Sequence, residues 1–187
     1  EEAVQFLRDY DFTLIREVTD STLEAIQDTL VEGFQAGRTP VQMARELRGI
    51  IGLTKSQAKA VSNYRKALQS GDETQLMGTL GRALRDGRFD RSVLAEVEGR
   101  KFLTPAKIDE MVGRYEERFL NYRAMMIART ESLRAANAGQ QEVWRQATKQ
   151  GLLDETRTKR KWVTTRDGRT CQICAPISGL NPGGVPL

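Results

Sequence analysis

The most constraining feature of the chain is a helical pattern that starts at Thr104-Pro105 and continues to about Gln150. Threonine caps helix starts well, and proline fits the first helical turn. Apolar side chains then recur every three to four residues and form a seam like that of a heptad repeat. The seam comprises Ile108, Val112, Tyr115, Phe119, Tyr122, Met126, Leu133 and Trp144. We expect a helix of about 45 residues and ~68 Å, which either breaks near Asn121 or Gly139 or protrudes and packs against another chain.

Shorter helices are predicted upstream of this element. Thr39-Pro40 is a typical helix start, and Thr54 is placed to cap the helix that follows. Apolar residues at helical spacing accompany both signals. The predicted helices cover about 20–37, 40–51, 54–70, 73–85 and 90–98. The sequence therefore predicts a multi-helix region at the amino-terminal end of the chain.

The pattern changes after Gly151 from helical to strand-like. Threonine, valine and tryptophan favour a strand, and Asp167-Gly168 supplies the positive φ of a tight hairpin turn. We expect strands only within about 159–172. Trp162 is expected to be buried against Trp144, where the hairpin packs on the end of the long helix, because an indole contributes much of a small appendage's apolar area.

These patterns predict three regions. A variable helical region covers 1–103, the long helix or a helix pair covers 104–150, and a basic β-hairpin with its Cys-x-x-Cys covers 151–187. The predicted fold class is mainly α, with a small zinc-knuckle-like β appendage, and thus α+β overall. We expect the appendage to be incomplete at its carboxyl-terminal end, because 181–187 has the composition of a loop.

The only two cysteines, Cys171 and Cys174, stand two residues apart. Thiolates at this spacing can hold one zinc ion from a single turn, but a structural site needs four ligands and the chain has no histidine. Three readings stay open: half of a metal site, ordinary thiols, and a redox or disulfide pair. We expect zinc, if bound, to require further ligands in the full-length protein and to be absent from this stretch.

Charge is distributed unevenly along the chain. The net charge is +4, yet residues 121–187 contain eleven Lys and Arg against five Asp and Glu. Such a basic region attracts polyanions or acidic protein surfaces, although it can also be an ordinary solvated face. The candidate contact residues are Lys159, Arg160, Lys161, Arg166 and Arg169. No apolar run predicts a membrane span or a signal peptide.

The sequence favours a binding or assembly module over an enzyme. It has no histidine for general-base chemistry, and it has no Gly-rich phosphate loop or G-x-S-x-G motif. Polar residues interrupt the long apolar seam at Arg129-Thr130 and at Asn137. They either face solvent or form a buried polar cluster that joins the helix to the hairpin.

A set of motifs between residues 127 and 179 resembles a known family. The motifs are Ile127-Ala128-Arg129-Thr130-Glu131, Asn137 and Trp144, then Lys161-Trp162-Val163-Thr164 and the run from Arg166 to Gly179. In this order they resemble the phage Mu F-like family of minor head proteins, also called head morphogenesis proteins. The residues that the resemblance singles out are Arg129, Thr130, Glu131, Asn137, Trp144, Trp162 and Asp167. The family pattern continues with a histidine and a Cys-Arg-Cys segment, which this chain lacks.

The resemblance implies a non-enzymatic virion protein, present in few copies and associated with the portal vertex. Its implied partners are the portal protein, other head proteins and viral DNA, with no membrane and no small-molecule substrate. It would act in head morphogenesis and in genome packaging and delivery, inside the capsid near the portal and in the host cytoplasm during assembly.

Two alternatives come from other functional classes. The run from Arg166 to Cys174 also resembles the zinc knuckle that opens HNH-type nucleases, whose chemistry needs a histidine base and more metal ligands. A helical DNA-binding protein is the other alternative.

Overall fold

The computed structural model describes residues 1–10, 12, 15–154, 156–161, 163, 170–180 and 182–186. It is mainly helical, as predicted. The helices are α1 (Glu2–Asp9), α2 (Asp20–Gln35), α3 (Pro40–Leu47), α4 (Lys55–Gln69), α5 (Glu73–Leu80), α6 (Asp90–Val97), α7 (Pro105–Lys149) and α8 (Cys174–Leu180), with a 3-10 turn at Gly87–Phe89. Two short strands, β1 (Lys159–Arg160) and β2 (Val185–Pro186), form an antiparallel pair.

The predicted caps of α3 and α4 are confirmed. The hydroxyl of Thr39 accepts a hydrogen bond from the backbone N–H of Gln42, whose side chain in turn accepts one from the N–H of Thr39. Thr54 and Gln57 form the same reciprocal pair at the start of α4. Each box satisfies two backbone donors that the helix leaves without an internal partner.

The chain divides into two compact units. Unit 1 comprises Glu1 and Ala3–Ala136, and unit 2 comprises Glu2 and Asn137–Leu187. The division falls inside α7, whereas the boundaries predicted from the sequence lie at 103/104 and 150/151. Every apolar residue of the core that the described structure shows as buried belongs to unit 1.

Unit 1 contains two apolar clusters. One combines α1, α2 and α3 with three fully buried alanines of α7, and its largest members include Phe12, Leu7, Ile26, Leu30, Met43 and Leu47. The other combines α4, α5 and α6 with the first turns of α7, and it contains Tyr64, Leu76, Val93, Met111 and Tyr115. The apolar face of each of the helices α1 to α6 thus lies in one of two clusters, and such burial is the usual source of helix stability in globular proteins.

Helix α7 confirms the predicted helix of about 45 residues. It is continuous from Pro105 to Lys149, which excludes the alternative of a break near Asn121 or Gly139. Beyond Phe119 the predicted apolar seam is not part of the core of unit 1, because Tyr122, Met126 and Leu133 are 54%, 46% and 61% exposed. The packing of this seam against another chain stays a prediction. The buried apolar residues of α7 beyond Phe119 are small: Ala124, Ala128 and Ala135.

One arginine fastens the middle of α7 to the loops of unit 1. The guanidinium of Arg123 donates to the backbone carbonyls of Gly52, at 2.6 Å, and of Arg16, at 2.5 Å. Arg123 is buried, and this burial lowers the pKa of its guanidinium. A buried cation that satisfies two loop carbonyls fixes the position of α7 in this unit.

In unit 2, α7 ends where the sequence predicted. Gly151 is in the left-handed conformation, with φ of +73°. Its N–H donates to the carbonyl of Thr148 at 2.9 Å, and the N–H of Leu152 donates to that of Ala147 at 2.8 Å. These two bonds form a Schellman motif, which satisfies carbonyls at the helix end and turns the chain away from the axis.

The strand prediction for unit 2 is partly wrong. Strand β1 lies within the range predicted for strands, 159–172. Its partner β2 does not, because Arg160 pairs with Val185 and Lys159 with Pro186, within the stretch 181–187 that the sequence assigned to a loop. Helix α8 was not predicted. The predicted hairpin turn at Asp167-Gly168 lies outside the described residues.

Candidate functional site

The main concave surface described in unit 2 is a groove centred on Trp144. Its helical wall uses residues spaced by three and four along the last turns of α7, a spacing that places side chains on one face. These residues are Asn137, Gln141, Trp144 and Thr148, flanked by Gln140, Arg145 and Lys149. The groove has two lobes, of about 980 and 670 Å³, that share Gln141, Trp144, Leu153 and Arg160. We call this surface the Trp144 groove.

The opposite wall of the Trp144 groove is formed by Leu153 and residues 158–161. After the helix ends, the carboxylate of Asp154 accepts hydrogen bonds from the N–H and the hydroxyl of Thr156, at 2.9 and 2.6 Å. The carbonyl of Asp154 accepts one from the N–H of Thr158 at 2.8 Å. This side-chain turn directs the chain back towards α7. Thr158, Lys159, Arg160 and Lys161 consequently line the second lobe.

Pairing of β1 with β2 supports this wall. Gly184 precedes β2 with φ of +77°, and a Cβ atom built on it would lie 2.7 Å from the carbonyl oxygen of Arg160. Only glycine permits both the backbone conformation and this close approach. The position of Arg160 in the groove therefore depends on a residue 24 positions later in the chain.

The rim of the Trp144 groove is predominantly cationic. The basic residues that line its two lobes are Arg145, Lys149, Lys159, Arg160 and Lys161. The acidic lining residue Glu142 is engaged by Arg145 through two hydrogen bonds of 2.7 and 2.5 Å. Hydrogen bonds from Arg145 and then Gln146 lower the pKa of Glu142 to about 2, and the bond to Glu142 raises the pKa of Arg145. The carboxylate of Glu142 stays ionised at neutral pH, but the positive charge of Arg145 balances it.

The structure brings together five of the residues singled out from the sequence. Lys159, Arg160 and Lys161 line the groove with Asn137 and Trp144. Their role in binding stays a prediction. Trp144 is half-buried, in keeping with a side chain that has one covered and one accessible part. Four other predicted site residues lie outside the described residues: Trp162, Arg166, Asp167 and Arg169.

The Arg129-Thr130-Glu131 motif belongs to unit 1, and its three side chains have different environments. Arg129 is exposed and Thr130 half-buried, whereas Glu131 is 1% exposed. Arg134 lies 3.3 Å from one carboxylate oxygen of Glu131 and donates to the hydroxyl of Tyr10 at 2.7 Å. Burial raises the pKa of Glu131, and Arg134 partly offsets this rise. Among the described residues, Oε2 of Glu131 has no hydrogen-bond partner.

Cys171 is solvent-exposed, and Cys174 begins α8. Among the residues that the structure describes, no three potential metal ligands cluster. Two thiols supply only half of a tetrahedral zinc site, so the residues of this chain do not by themselves fit a closed zinc centre. Zinc binding by the full-length protein stays a prediction.

Sequence reasoning missed the other lining residues of the groove. Gln141, Arg145, Thr148 and Lys149 read as ordinary polar residues on a helix, and Leu153 matched no motif. The spacing of Asn137, Gln141, Trp144 and Thr148 was a usable signal, because it places polar residues beside an aromatic one on a single helical face.

Comparison with known proteins identifies no relative: no protein-family model, curated protein or solved structure matches the chain. In the described part of the chain, no helix is both long enough and apolar enough to cross a membrane.

Proposed function

We propose that this chain is a non-enzymatic minor head protein of a bacteriophage, associated with the portal vertex and acting in head morphogenesis and in genome packaging and delivery. The resemblance of residues 127–179 to the phage Mu F-like family supports the class of protein. The observation that carries the proposal is the cationic rim of the Trp144 groove, because it concentrates basic side chains where the resembling motifs lie.

Charge supports a polyanionic or acidic partner. Residues 137–187 contain eight Lys and Arg against four Asp and Glu. Both packaged DNA and an acidic protein surface such as that of a portal attract such a region, and the attraction weakens with salt. The proposed partners are therefore the portal protein, other head proteins and viral DNA, inside the capsid near the portal and in the host cytoplasm during assembly.

Exposed apolar residues in unit 2 support a role in assembly. The exposed large apolar side chains among the described residues of unit 2 are Val143, Leu152, Val163, Ile173, Leu180 and Val185. Apolar surface of this kind is favourable to cover when a partner protein binds. In the full-length protein, zinc held by Cys171 and Cys174 together with further ligands would stabilise the same region.

The first experiment tests the assignment to the virion. In the phage whose genome encodes this chain, purified particles should contain the protein at a few copies, as counted by quantitative mass spectrometry. The protein should also co-purify with the portal protein at low salt and less at high salt. A protein that is absent from particles and does not bind the portal contradicts the proposal.

A second experiment tests the nuclease alternative. Purified full-length protein is incubated with plasmid and single-stranded DNA in the presence of magnesium, manganese or zinc. We expect no cleavage, because the proposed head protein is not an enzyme. Metal-dependent cleavage that co-purifies with the protein and disappears in a Cys171→Ser, Cys174→Ser variant would favour the nuclease.

A further inference from the structure

We propose that the Trp144 groove binds single-stranded nucleic acid, with a base stacked on the indole of Trp144 and the neighbouring phosphates against the basic rim. The inference rests on the groove alone. It stands whether or not the chain is a virion component, and so its failure and that of the proposed function are separable.

The dimensions of the groove suit an extended ligand. Its lobes of about 980 and 670 Å³ are of the size that holds small organic ligands, typically about 300–1,000 Å³. Trp144 lines both lobes, so a ligand that extends through both contacts this residue. A strand of two or three nucleotides can extend in this way, whereas a single small molecule fills one lobe.

The chemistry of the lining matches a nucleotide strand. An indole offers a flat apolar face on which any base can stack, and such stacking is a principal source of affinity in proteins that bind single strands. The amides of Asn137, Gln140 and Gln141 surround Trp144 and can each donate and accept hydrogen bonds at base edges. Neither feature is needed to bind a simple anion.

Both lobes of the groove have basic lining residues. Arg145 and Lys149 of α7 line one lobe, Lys159 and Lys161 line the other, and Arg160 lines both. A backbone that extends through both lobes therefore meets cations in each. Because Arg145 engages Glu142, the one acidic residue among the lining residues adds little repulsion.

A single strand fits this arrangement better than a duplex or an acidic peptide. Bases in a duplex stack on each other, so their faces are not accessible to an indole that lines a groove, and a duplex offers mainly its phosphates. The carboxylates of an acidic peptide complement the basic charges, but its acidic side chains have no flat ring that could stack on Trp144. The indole is thus the feature that decides between these ligands.

The test uses the full chain with Trp162→Phe, which leaves Trp144 as the only tryptophan. The probes are an eight-residue oligothymidylate, a 20-base-pair duplex and a poly-glutamate peptide, compared at the same salt concentration. We expect the oligothymidylate to quench the fluorescence of Trp144 and to bind at least ten-fold more tightly per site than the duplex or the peptide.

Two sets of variants separate stacking from charge. Trp144→Leu keeps an apolar side chain but removes the ring, and it should weaken binding of labelled oligothymidylate roughly ten- to one-hundred-fold. Trp144→Phe keeps an aromatic ring and should therefore weaken this binding less than Trp144→Leu does. Lys159→Gln with Lys161→Gln should lower the salt dependence of binding, by roughly 0.7 in the log–log slope for each lost phosphate contact. The matched control is Lys59→Gln with Lys66→Gln on α4, which removes the same charge from unit 1 and should leave binding unchanged.

The proposal is overturned if Trp144→Leu, folded by circular dichroism, binds oligothymidylate like the parent protein. It is also overturned if the duplex or poly-glutamate binds as tightly as the single strand, because the groove would then act through charge alone. If Trp144→Leu fails to fold, the quenching of Trp144 in the Trp162→Phe protein decides: saturable quenching by the single strand supports the proposal, and its absence refutes it.

Discussion

Helix α7 contributes to two regions with opposite surface chemistry. In unit 1 it buries small side chains, Ala124, Ala128 and Ala135, in an apolar cluster. In unit 2 it presents Asn137, Trp144 and basic residues on a groove that is open to solvent. The first part of the helix is therefore held by burial. The last part is positioned by capping and turn hydrogen bonds and remains available to a ligand.

The largest expected effect is on stability: truncating a leucine should lower the free energy of unfolding far more in unit 1 than in unit 2. Leu47 is fully buried in unit 1, so Leu47→Ala should lower the free energy of unfolding by about 2–5 kcal/mol. Leu153 lines the groove and is half-buried, so Leu153→Ala should cost about 1 kcal/mol or less. Urea unfolding followed by circular dichroism measures both. Equal losses for the two variants would remove the distinction between a packed unit and an open one.

Gly184→Ala tests the wall of the groove without touching α7. The left-handed conformation costs a non-glycine residue about 1–2 kcal/mol, and the new Cβ would meet the carbonyl of Arg160. We expect faster amide hydrogen exchange at 159–161 and unchanged exchange in unit 1. Gly183→Ala is the matched control, because no atom lies within 4 Å of its added Cβ. Similar effects of the two substitutions would show that β1–β2 pairing does not depend on Gly184.

The buried carboxylate of Glu131 should produce a smaller, pH-dependent effect. Burial raises its folded-state pKa above the ordinary 4.5, so its contribution to stability is fully present below that pH and is lost as the pH rises through the folded-state pKa. Glu131→Gln does not lose stability in this way, because the glutamine side chain does not ionise. The stability of the variant relative to the wild type should therefore increase between pH 4 and pH 8, as measured by urea unfolding at each pH. A difference that is constant or declines with pH contradicts this account.

The sequence predicted those elements of the fold that carry local signals. Thr39, Thr54 and Thr104-Pro105 mark helix starts through the hydrogen bonds and backbone angles that these residues favour, and Gly151 marks the end of α7. Which face of α7 is buried beyond Phe119 was not predictable, because it depends on the surface that the helix meets. The buried face of a helix can consist of alanines, and a search for large apolar residues does not find such a face.

The candidate site was predictable in part. Lys159–Lys161, Asn137 and Trp144 were singled out from charge and motif. Their assembly into one groove depends on the turn at Asp154 and on the pairing of Arg160 with Val185. A two-residue strand has no periodic pattern, and the close approach of Gly184 is a tertiary contact, so neither could be inferred from local sequence.

The most direct test of the division of roles is to map where nucleic acid contacts the chain. A single-stranded oligonucleotide that contains bromodeoxyuridine is photo-crosslinked to the full chain, which is then digested with trypsin and analysed by mass spectrometry. The account predicts that the crosslinks concentrate in unit 2, foremost on the tryptic peptide 135–145 that carries Trp144. Crosslinks that fall mainly within 1–134 would contradict it, because the packed unit would then be the binding surface.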